Sequence, residues 1–116
     1  MKDFKELTVW QKSMELALEV YRLAKMLPKE ELFALSDQLR RAAVSIPSNI
    51  AEGYGRESKN EYLRFLRIAR GSKYEMETQL LLCVDLGYFS ESNTLAALAL
   101  SDEIGKMLNV MIQRIQ

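Results

Sequence analysis

Hydrophobic residues recur at three- and four-residue spacing along four stretches of this chain, with charged residues between them. That period matches the turn of an α-helix, so each stretch is predicted to form an amphipathic helix. The connections between the stretches are short, which favours antiparallel packing of consecutive helices. We therefore predict an all-α fold, an antiparallel up-down-up-down four-helix bundle, as one domain over residues 1–116. The predicted helices cover residues 8–27, 36–53, 59–86 and 92–115.

Local signals set the expected bounds of the first two helices. Thr8 is a suitable cap for the start of the first helix, and Pro28 disfavours helical geometry at the residue before it. Pro47 lies inside the second helix, where its missing N–H predicts a kink. An alternative interpretation is a true break at this point, with Ser45 capping a new helix.

Two helix-capping signals and the link between the first and second helices complete the predicted architecture. Ser58 and Glu61 have the spacing of a capping box, in which each side chain accepts a hydrogen bond from the other residue's backbone N–H. Gly87 is suited to the left-handed position that ends a helix. The link between the first two helices is the longest, and its Leu32 and Phe33 are expected to cover the end of the bundle.

The first helix carries more apolar surface than one core contact needs. Leu16 and Leu23 widen its apolar sector to roughly half of the circumference, beyond the ~100° stripe of a surface helix. Apolar residues also project nearly all round the third helix near Leu81 and Leu82. This surplus predicts an oligomer interface that contains these four leucines. The inward face of the first helix is predicted to contain Val9, Trp10, Met14, Ala17, Val20, Tyr21, Ala24 and Leu27.

Composition excludes several kinds of chemistry. The 116 residues include no histidine and one cysteine, which removes zinc sites, histidine acid–base catalysis and a disulfide within the chain. Cys83 falls on the predicted core face and is expected to be a small buried hydrophobic residue rather than a nucleophile. We therefore predict no metal, no cofactor and no enzymatic activity.

The chain also lacks the sequence signals of secretion or membrane insertion. Charged residues interrupt the N-terminal segment, which argues against a signal peptide. The longest apolar runs, residues 80–84 and 95–100, are far too short to span a bilayer. We expect a cytoplasmic protein with no membrane partner.

Polar residues occupy positions of the second and third helices where a simple bundle favours apolar ones. Side chains three and four residues apart lie above one another on a helix, so each set forms a stripe beside the core. If the two stripes meet, their polar groups pair across the helices and fix the register of packing. The alternative interpretation is a ligand pocket. The candidate residues are Arg40, Ser45, Asn49, Glu52, Ser72, Glu75 and Gln79.

Charge is distributed unevenly although the formal net charge is zero. Residues 40–73 hold eight lysine and arginine residues against three glutamates, so the rest of the chain carries the opposite balance. A localised basic face binds phosphates through counterion release even on a neutral protein. The alternative is a solvated helix face whose cations pair with acidic neighbours. The candidate phosphate contacts are Arg56, Lys59, Arg64, Arg67, Arg70 and Lys73.

Four blocks of sequence resemble a known family. They are FKELTVW at 4–10, QLRRA at 38–42, SNIAEG at 48–53 and the stretch 62–75 that ends in GSKYE. In this order the blocks resemble the four-helix-bundle proteins first noted as reading frames inside intervening sequences of bacterial 23S rRNA genes. Members are loosely labelled ribosomal proteins, although a gene's location in rRNA does not place its product on the ribosome.

The resemblance implies further properties. Bundles of this family are expected to pack side by side as a homopentamer, a ring around a central channel. The family is also related to an accessory protein of diversity-generating retroelements, which binds nucleic acid and a reverse transcriptase through basic surfaces. This chain differs from that relative in its neutral overall charge.

Charge and resemblance together lead to two hypotheses. In the first, the chain is a non-enzymatic accessory protein that acts as a homo-oligomer and binds RNA or DNA through its basic face. In the second, the oligomer is a scaffold that binds a protein partner and no nucleic acid.

Overall fold

Four α-helices make up most of the chain in the computed structural model, which describes residues 3–116. Each helix packs against the next, and the first also packs against the last, so the four close into a bundle about 42 Å long. The predicted all-α four-helix bundle is confirmed, while its assembly into a ring stays a prediction. The helices are α1 Thr8–Ala24, α2 Leu35–Gly55, α3 Lys59–Asp85 and α4 Glu91–Ile115, with short 3₁₀ turns at Phe4–Glu6 and Lys29–Glu31.

The ends of α1 and α2 differ from the prediction. Leu7, not Thr8, is the N-cap of α1, and its side chain makes no capping hydrogen bond. α1 ends at Ala24 because the chain then tightens, with the Leu27 N–H donating to the Ala24 carbonyl at 3.1 Å. α2 continues through Pro47 as far as Gly55. The alternative of a break before Pro47 is therefore wrong.

Caps position α3 and α4. The Ser58 hydroxyl accepts a hydrogen bond from the Glu61 N–H at 3.3 Å, as predicted. The Glu61 carboxylate accepts a hydrogen bond from the Arg64 guanidinium at 2.9 Å instead of one from the Ser58 N–H, so the predicted capping box is only half formed. The reciprocal capping box forms instead at α4, between Ser90 and Asn93, so α4 begins slightly earlier than expected.

The core-facing side of α1 is rotated relative to the predicted one. Leu16 and Leu23 are 0% and 4% exposed and belong to the core of this chain, so their assignment to an oligomer interface is wrong. Met14 and Tyr21, predicted to face inward, are 40% and 42% exposed. One reason is that Ser13 faces the core. Its burial is tolerated because its hydroxyl donates a hydrogen bond to the Val9 carbonyl at 2.7 Å.

Phe89, rather than Leu32 and Phe33, closes the end of the bundle. Gly87 has the predicted left-handed backbone, with φ of +83°, and lets the chain turn back after α3. Phe89 is consequently buried in the core at 4% exposure. Leu32 and Phe33 are exposed, Phe33 by 90%, so their predicted role as a cover is wrong. Both lie on the outside of the first link.

Candidate nucleic-acid interface

The seam between α3 and α4 holds two arginines through neutral partners. The Arg67 guanidinium donates from Nη2 to the Gln116 amide oxygen at 2.9 Å, and Arg70 donates from Nη1 to the Asn109 amide oxygen at 3.0 Å. In residues 3–116, no carboxylate oxygen lies within 4.0 Å of either guanidinium. The two side chains are therefore positioned by α4, and no neighbouring carboxylate offsets their charge.

Arg56 and Arg64 are held differently, because each pairs with a carboxylate. Arg56 lies 3.3 Å from Glu52, and Arg64 lies 2.9 Å from Glu61. Both guanidinium groups also lie over the ring of Phe65, at 5.1 and 4.5 Å from its centroid. The hydrogen bond from Arg64 lowers the pKa of the Glu61 carboxyl. These two arginines thus match the alternative of a basic face paired with acidic neighbours.

Lys73 is buried and is not available to phosphates. Its side chain is 7% exposed, and its ammonium donates to Glu77 Oε1 at 2.8 Å. The buried Ser101 hydroxyl of α4 donates to the same oxygen at 2.5 Å. The assignment of Lys73 to the basic face is wrong, because its ammonium is buried in an ion pair with Glu77 of the same helix, against α4. Lys59, by contrast, is exposed at the first residue of α3.

Comparison with known proteins identifies the family. The sequence model of the family described as 23S rRNA-intervening sequence protein matches residues 5–110. The chain belongs to this family. The resemblance inferred from the sequence blocks is thereby confirmed, and the link to the accessory protein of diversity-generating retroelements stays a prediction.

A solved structure resembles this chain closely. It is the crystal structure of a protein of unknown function from the S23 ribosomal protein family of Bacteroides thetaiotaomicron. The two chains are 30% identical and superpose with a TM-score of 0.84, over 90% of this chain and 98% of the other. No curated protein matches the sequence significantly.

The polar stripes of α2 and α3 meet at one point. Ser45 of α2 and Ser72 of α3 are joined by a hydrogen bond of 2.8 Å between their hydroxyls. Asn49 donates to the backbone carbonyl and to the hydroxyl of Ser45, at 2.7 and 2.9 Å. These three residues form the predicted link between the second and third helices.

The other four candidate network residues lie elsewhere. Arg40 donates to the Ser36 hydroxyl on its own helix at 3.1 Å, and Gln79 donates to the Gln38 amide oxygen at 3.3 Å. Glu52 is exposed and pairs with Arg56, and Glu75 is exposed. The prediction of one network of seven residues is therefore wrong, because helix rotation separates Glu52 and Glu75 from the serine pair.

The polar cluster of Lys73, Glu77 and Ser101 at the α3–α4 contact was not predicted from the sequence. The i, i+4 spacing of Lys73 and Glu77 is a signal for a pair, yet such pairs are usually solvated. Ser101 and Gly105, small residues among the apolar ones of α4, mark where this helix admits polar atoms. Their spacing could have indicated a close approach from a neighbouring helix.

Reactive groups are sparse among residues 3–116. Cys83 is buried, and burial together with the nearby Glu31 raises the pKa of its thiol to about 11. Across residues 3–116, no group of three or more cysteine or acidic side chains is arranged to hold a metal ion. Over the same residues, none of the helices combines the length and apolar character needed to cross a membrane.

Proposed function

We propose that this protein is a non-enzymatic, nucleic-acid-associated accessory protein that binds phosphates through the α3–α4 seam. Arg67 and Arg70 are its principal contacts, with Lys59 at the start of α3 extending the surface. Arg56 and Arg64 contribute less, because binding a phosphate would compete with the carboxylates they already contact.

The observation that carries this proposal is the nature of the partners of Arg67 and Arg70. An amide oxygen fixes a guanidinium in position without neutralising it, whereas a carboxylate removes most of its field. An arginine that is already held in position loses less conformational entropy on binding a phosphate than a freely moving one does. The neutral and exposed Gln113 of α4 continues this surface between Asn109 and Gln116.

We further propose that the protein works as a homo-oligomer. α1 exposes Met14, Leu18 and Tyr21 at spacings that place them on one side, and Val44 of α2 lies beside them at 41% exposure. A groove of about 360 Å³ runs between α1 and α2 and is lined mainly by apolar side chains, among them Trp10 and Met14. Contiguous exposed apolar surface of this kind is typical of protein interfaces.

The second candidate function, a protein-binding scaffold, is favoured by the same apolar surface. α3 adds Leu81 and Leu82, which are 53% and 45% exposed, on another side of the bundle. The two surfaces lie on different helices, so each can contact a separate partner. A scaffold would use one for self-association and the other for a protein partner.

Salt dependence tests the leading proposal. Binding of an end-labelled RNA hairpin should weaken about tenfold or more between ~50 and ~200 mM salt, because two or more phosphate contacts release counterions. The double variant Arg67→Glu/Arg70→Glu should lose at least about tenfold in affinity and show a shallower salt slope. Fluorescence anisotropy measures both quantities.

A matched control distinguishes phosphate binding at the seam from a general effect of net charge. Arg22→Glu/Arg41→Glu makes the same change in net charge at two exposed arginines that have carboxylate partners, Glu19 and Asp37. This control should bind the hairpin within about twofold of wild type at ~150 mM salt, where distant charges are screened. Equal losses in the two double variants, or a wild-type affinity that does not respond to salt, would overturn the proposal.

Sedimentation tests the assembly and the scaffold. Leu18→Asp should reduce the oligomer mass, because it places a carboxylate in the apolar surface of α1. The scaffold is favoured over nucleic-acid binding if Leu82→Asp abolishes a co-purifying protein that nuclease and high salt do not remove. A wild-type protein that sediments as a monomer at micromolar concentration would contradict the oligomer.

A further inference from the structure

Gly71 differs from the other glycines of the chain because nothing inside the protein requires it. A Cβ at Gly53 or Gly105 would lie 2.7 or 2.6 Å from a neighbouring side chain, so packing explains both. Gly87 has a positive φ, and Gly55 is the last residue of α2, where the helix ends and its low helix propensity costs little. At Gly71 a Cβ would meet no atom within 4 Å.

Position 71 is also unfavourable for glycine. It lies in the interior of α3 and is exposed, with an ordinary helical backbone. Glycine lowers the stability of such a helix relative to alanine, because its unfolded backbone has more freedom. The bare backbone at this position lets another molecule approach α3 more closely than any side chain would allow.

The side chains around Gly71 indicate what that molecule is. Arg67 lies one turn earlier and Arg70 is adjacent, both held by neutral amides of α4. Tyr74 follows in the next turn and is 54% exposed. The Lys73 ammonium lies 4.3 Å from its ring centroid, on one face of the ring. Two charged guanidinium groups and an exposed aromatic ring suit one nucleotide, with its phosphate and its base.

We propose that the exposed face of α3 beside this seam binds single-stranded nucleic acid, with a backbone phosphate seated over Gly71 and contacted by Arg67 and Arg70. The base attached to that nucleotide stacks on the free face of Tyr74. The inference rests on the proposed nucleic-acid function and makes it specific. A base in a duplex is stacked on its neighbours and is not available to an aromatic side chain, so the single strand is the preferred substrate.

The test compares single and double strands on wild type and Gly71→Ala. Labelled oligonucleotides of about 12 nucleotides, one uridine-rich RNA and one thymidine-rich DNA, are titrated alone and as duplexes with their complements. Wild type should bind both single strands at least about tenfold more tightly than the duplexes. Gly71→Ala should weaken single-strand binding about tenfold, because the methyl group displaces the phosphate from the backbone.

Stability should change in the opposite direction, which separates a binding role from a structural one. Gly71→Ala should raise the Tm by about 3–5 °C, because alanine is the better helix former. Gly55→Ala is the matched control: it also adds a methyl group to an exposed helical glycine with open space around it. This control should leave binding unchanged. Tyr74→Ala should weaken binding about tenfold, and Tyr74→Phe should restore it.

Different outcomes refute different parts of the proposal. If wild type binds the RNA hairpin through Arg67 and Arg70 but Gly71→Ala binds single strands equally well, the seat at Gly71 is wrong and the general function stands. If wild type binds no nucleic acid, the seat at Gly71 and the proposed nucleic-acid function are both wrong. If Gly71→Ala changes the oligomer mass and leaves binding intact, the close approach belongs to a second copy of the chain, which also overturns the inference.

Discussion

The buried side chain of Lys73 on α3 packs against α4 in the space that Gly105 leaves open. A Cβ at position 105 would lie 2.6 Å from the Lys73 Cε and 3.1 Å from its Nζ. The Lys73 ammonium donates a hydrogen bond to Glu77 of the same helix, and the Glu77 carboxylate also accepts one from the Ser101 hydroxyl of α4. A residue without a side chain on one helix therefore determines where a charge of the neighbouring helix can lie.

Gly105→Ala should expel Lys73 from this path. Alanine improves helix propensity by about 1 kcal/mol, but separating a largely buried pair costs more than that. We expect the free energy of unfolding to fall by about 1–2 kcal/mol in urea denaturation. In a Lys73→Ala background the clash is absent, so the same substitution should stabilise the protein. A loss of equal size in both backgrounds would contradict this account.

Removing the charge of Lys73 should be more damaging than removing the pair. Lys73→Met keeps the volume but leaves the Glu77 carboxylate partly buried with only Ser101 as partner, so we expect a loss of about 2–3 kcal/mol. Lys73→Met/Glu77→Leu should recover most of that loss, since no unpaired charge remains. Thermal or urea unfolding of the single and double variants measures the difference. A double variant no more stable than Lys73→Met would count against the mechanism.

The hydroxyl pair between α2 and α3 should behave as a coupled unit. Ser45→Ala and Ser72→Ala each remove one partner and should cost about 1 kcal/mol. The double variant should cost less than the sum of the two, because the second substitution breaks a bond that is already lost. Ser48→Ala, at an exposed position of α2, should change stability by less than about 0.5 kcal/mol. Strict additivity of the serine pair would show that the two residues act independently.

Neighbouring leucines of α1 should differ sharply in their effect on folding. Leu16→Ala should lower the unfolding free energy by about 3 kcal/mol, because Leu16 is fully buried and a cavity remains. Leu18, which is 71% exposed, should tolerate alanine within about 0.5 kcal/mol in dilute solution. Denaturation at a concentration where the protein is monomeric makes this comparison. Similar losses at both positions would refute the rotation of α1 described above.

Stability should decline in alkaline solution. Burial, with a smaller contribution from Glu31, raises the pKa of Cys83 to about 11 from an ordinary value of 9.0. Burial raises the pKa of Tyr62, and the hydrogen bond to Glu31 raises that of Tyr88. All three groups favour the protonated form in the folded state, so their contribution is intact below pH 9 and is lost as the pH rises toward and beyond 11.

Urea midpoints between pH 8 and pH 11 test the alkaline effect. Cys83→Ala should be less stable than wild type at neutral pH because it opens a small cavity. Its decline with rising pH should nevertheless be shallower, since one of the three titrating groups is gone. Parallel curves for wild type and Cys83→Ala would exclude a contribution from the thiol.

The periodicity of the sequence was sufficient to predict the four helices but not the rotation of each about its axis. The apolar sector of α1 is so wide that either Met14 or Leu16 can face the core, and the choice depends on side chains of α2 and α4. Such contacts are distant in sequence, and no local pattern encodes them. Caps were more predictable: the Ser58 cap and the left-handed Gly87 are determined within one turn of the helix.

The positive charge of the candidate site could be predicted from the sequence, but the cations that stay available to a ligand could not. An excess of cations around α3 was evident, and Arg67 and Arg70 remain available on it. Whether a given cation is neutralised depends on its spatial neighbours, and Arg56 and Arg64 found carboxylates one helical turn away. The burial of Lys73 could not be inferred from α3 alone, because Gly105 of another helix provides its space.

The hydrogen bonds from Arg67 and Arg70 to α4 also connect ligand binding to the mechanical integrity of the bundle. A phosphate that binds both guanidinium groups while they stay bonded to Gln116 and Asn109 also holds the C-terminal part of α4 in place. By thermodynamic reciprocity, anything that loosens the end of α4 weakens phosphate binding, and phosphate binding tightens that end in return. Backbone amides of that last segment should therefore exchange hydrogen more slowly in the complex than in the free protein.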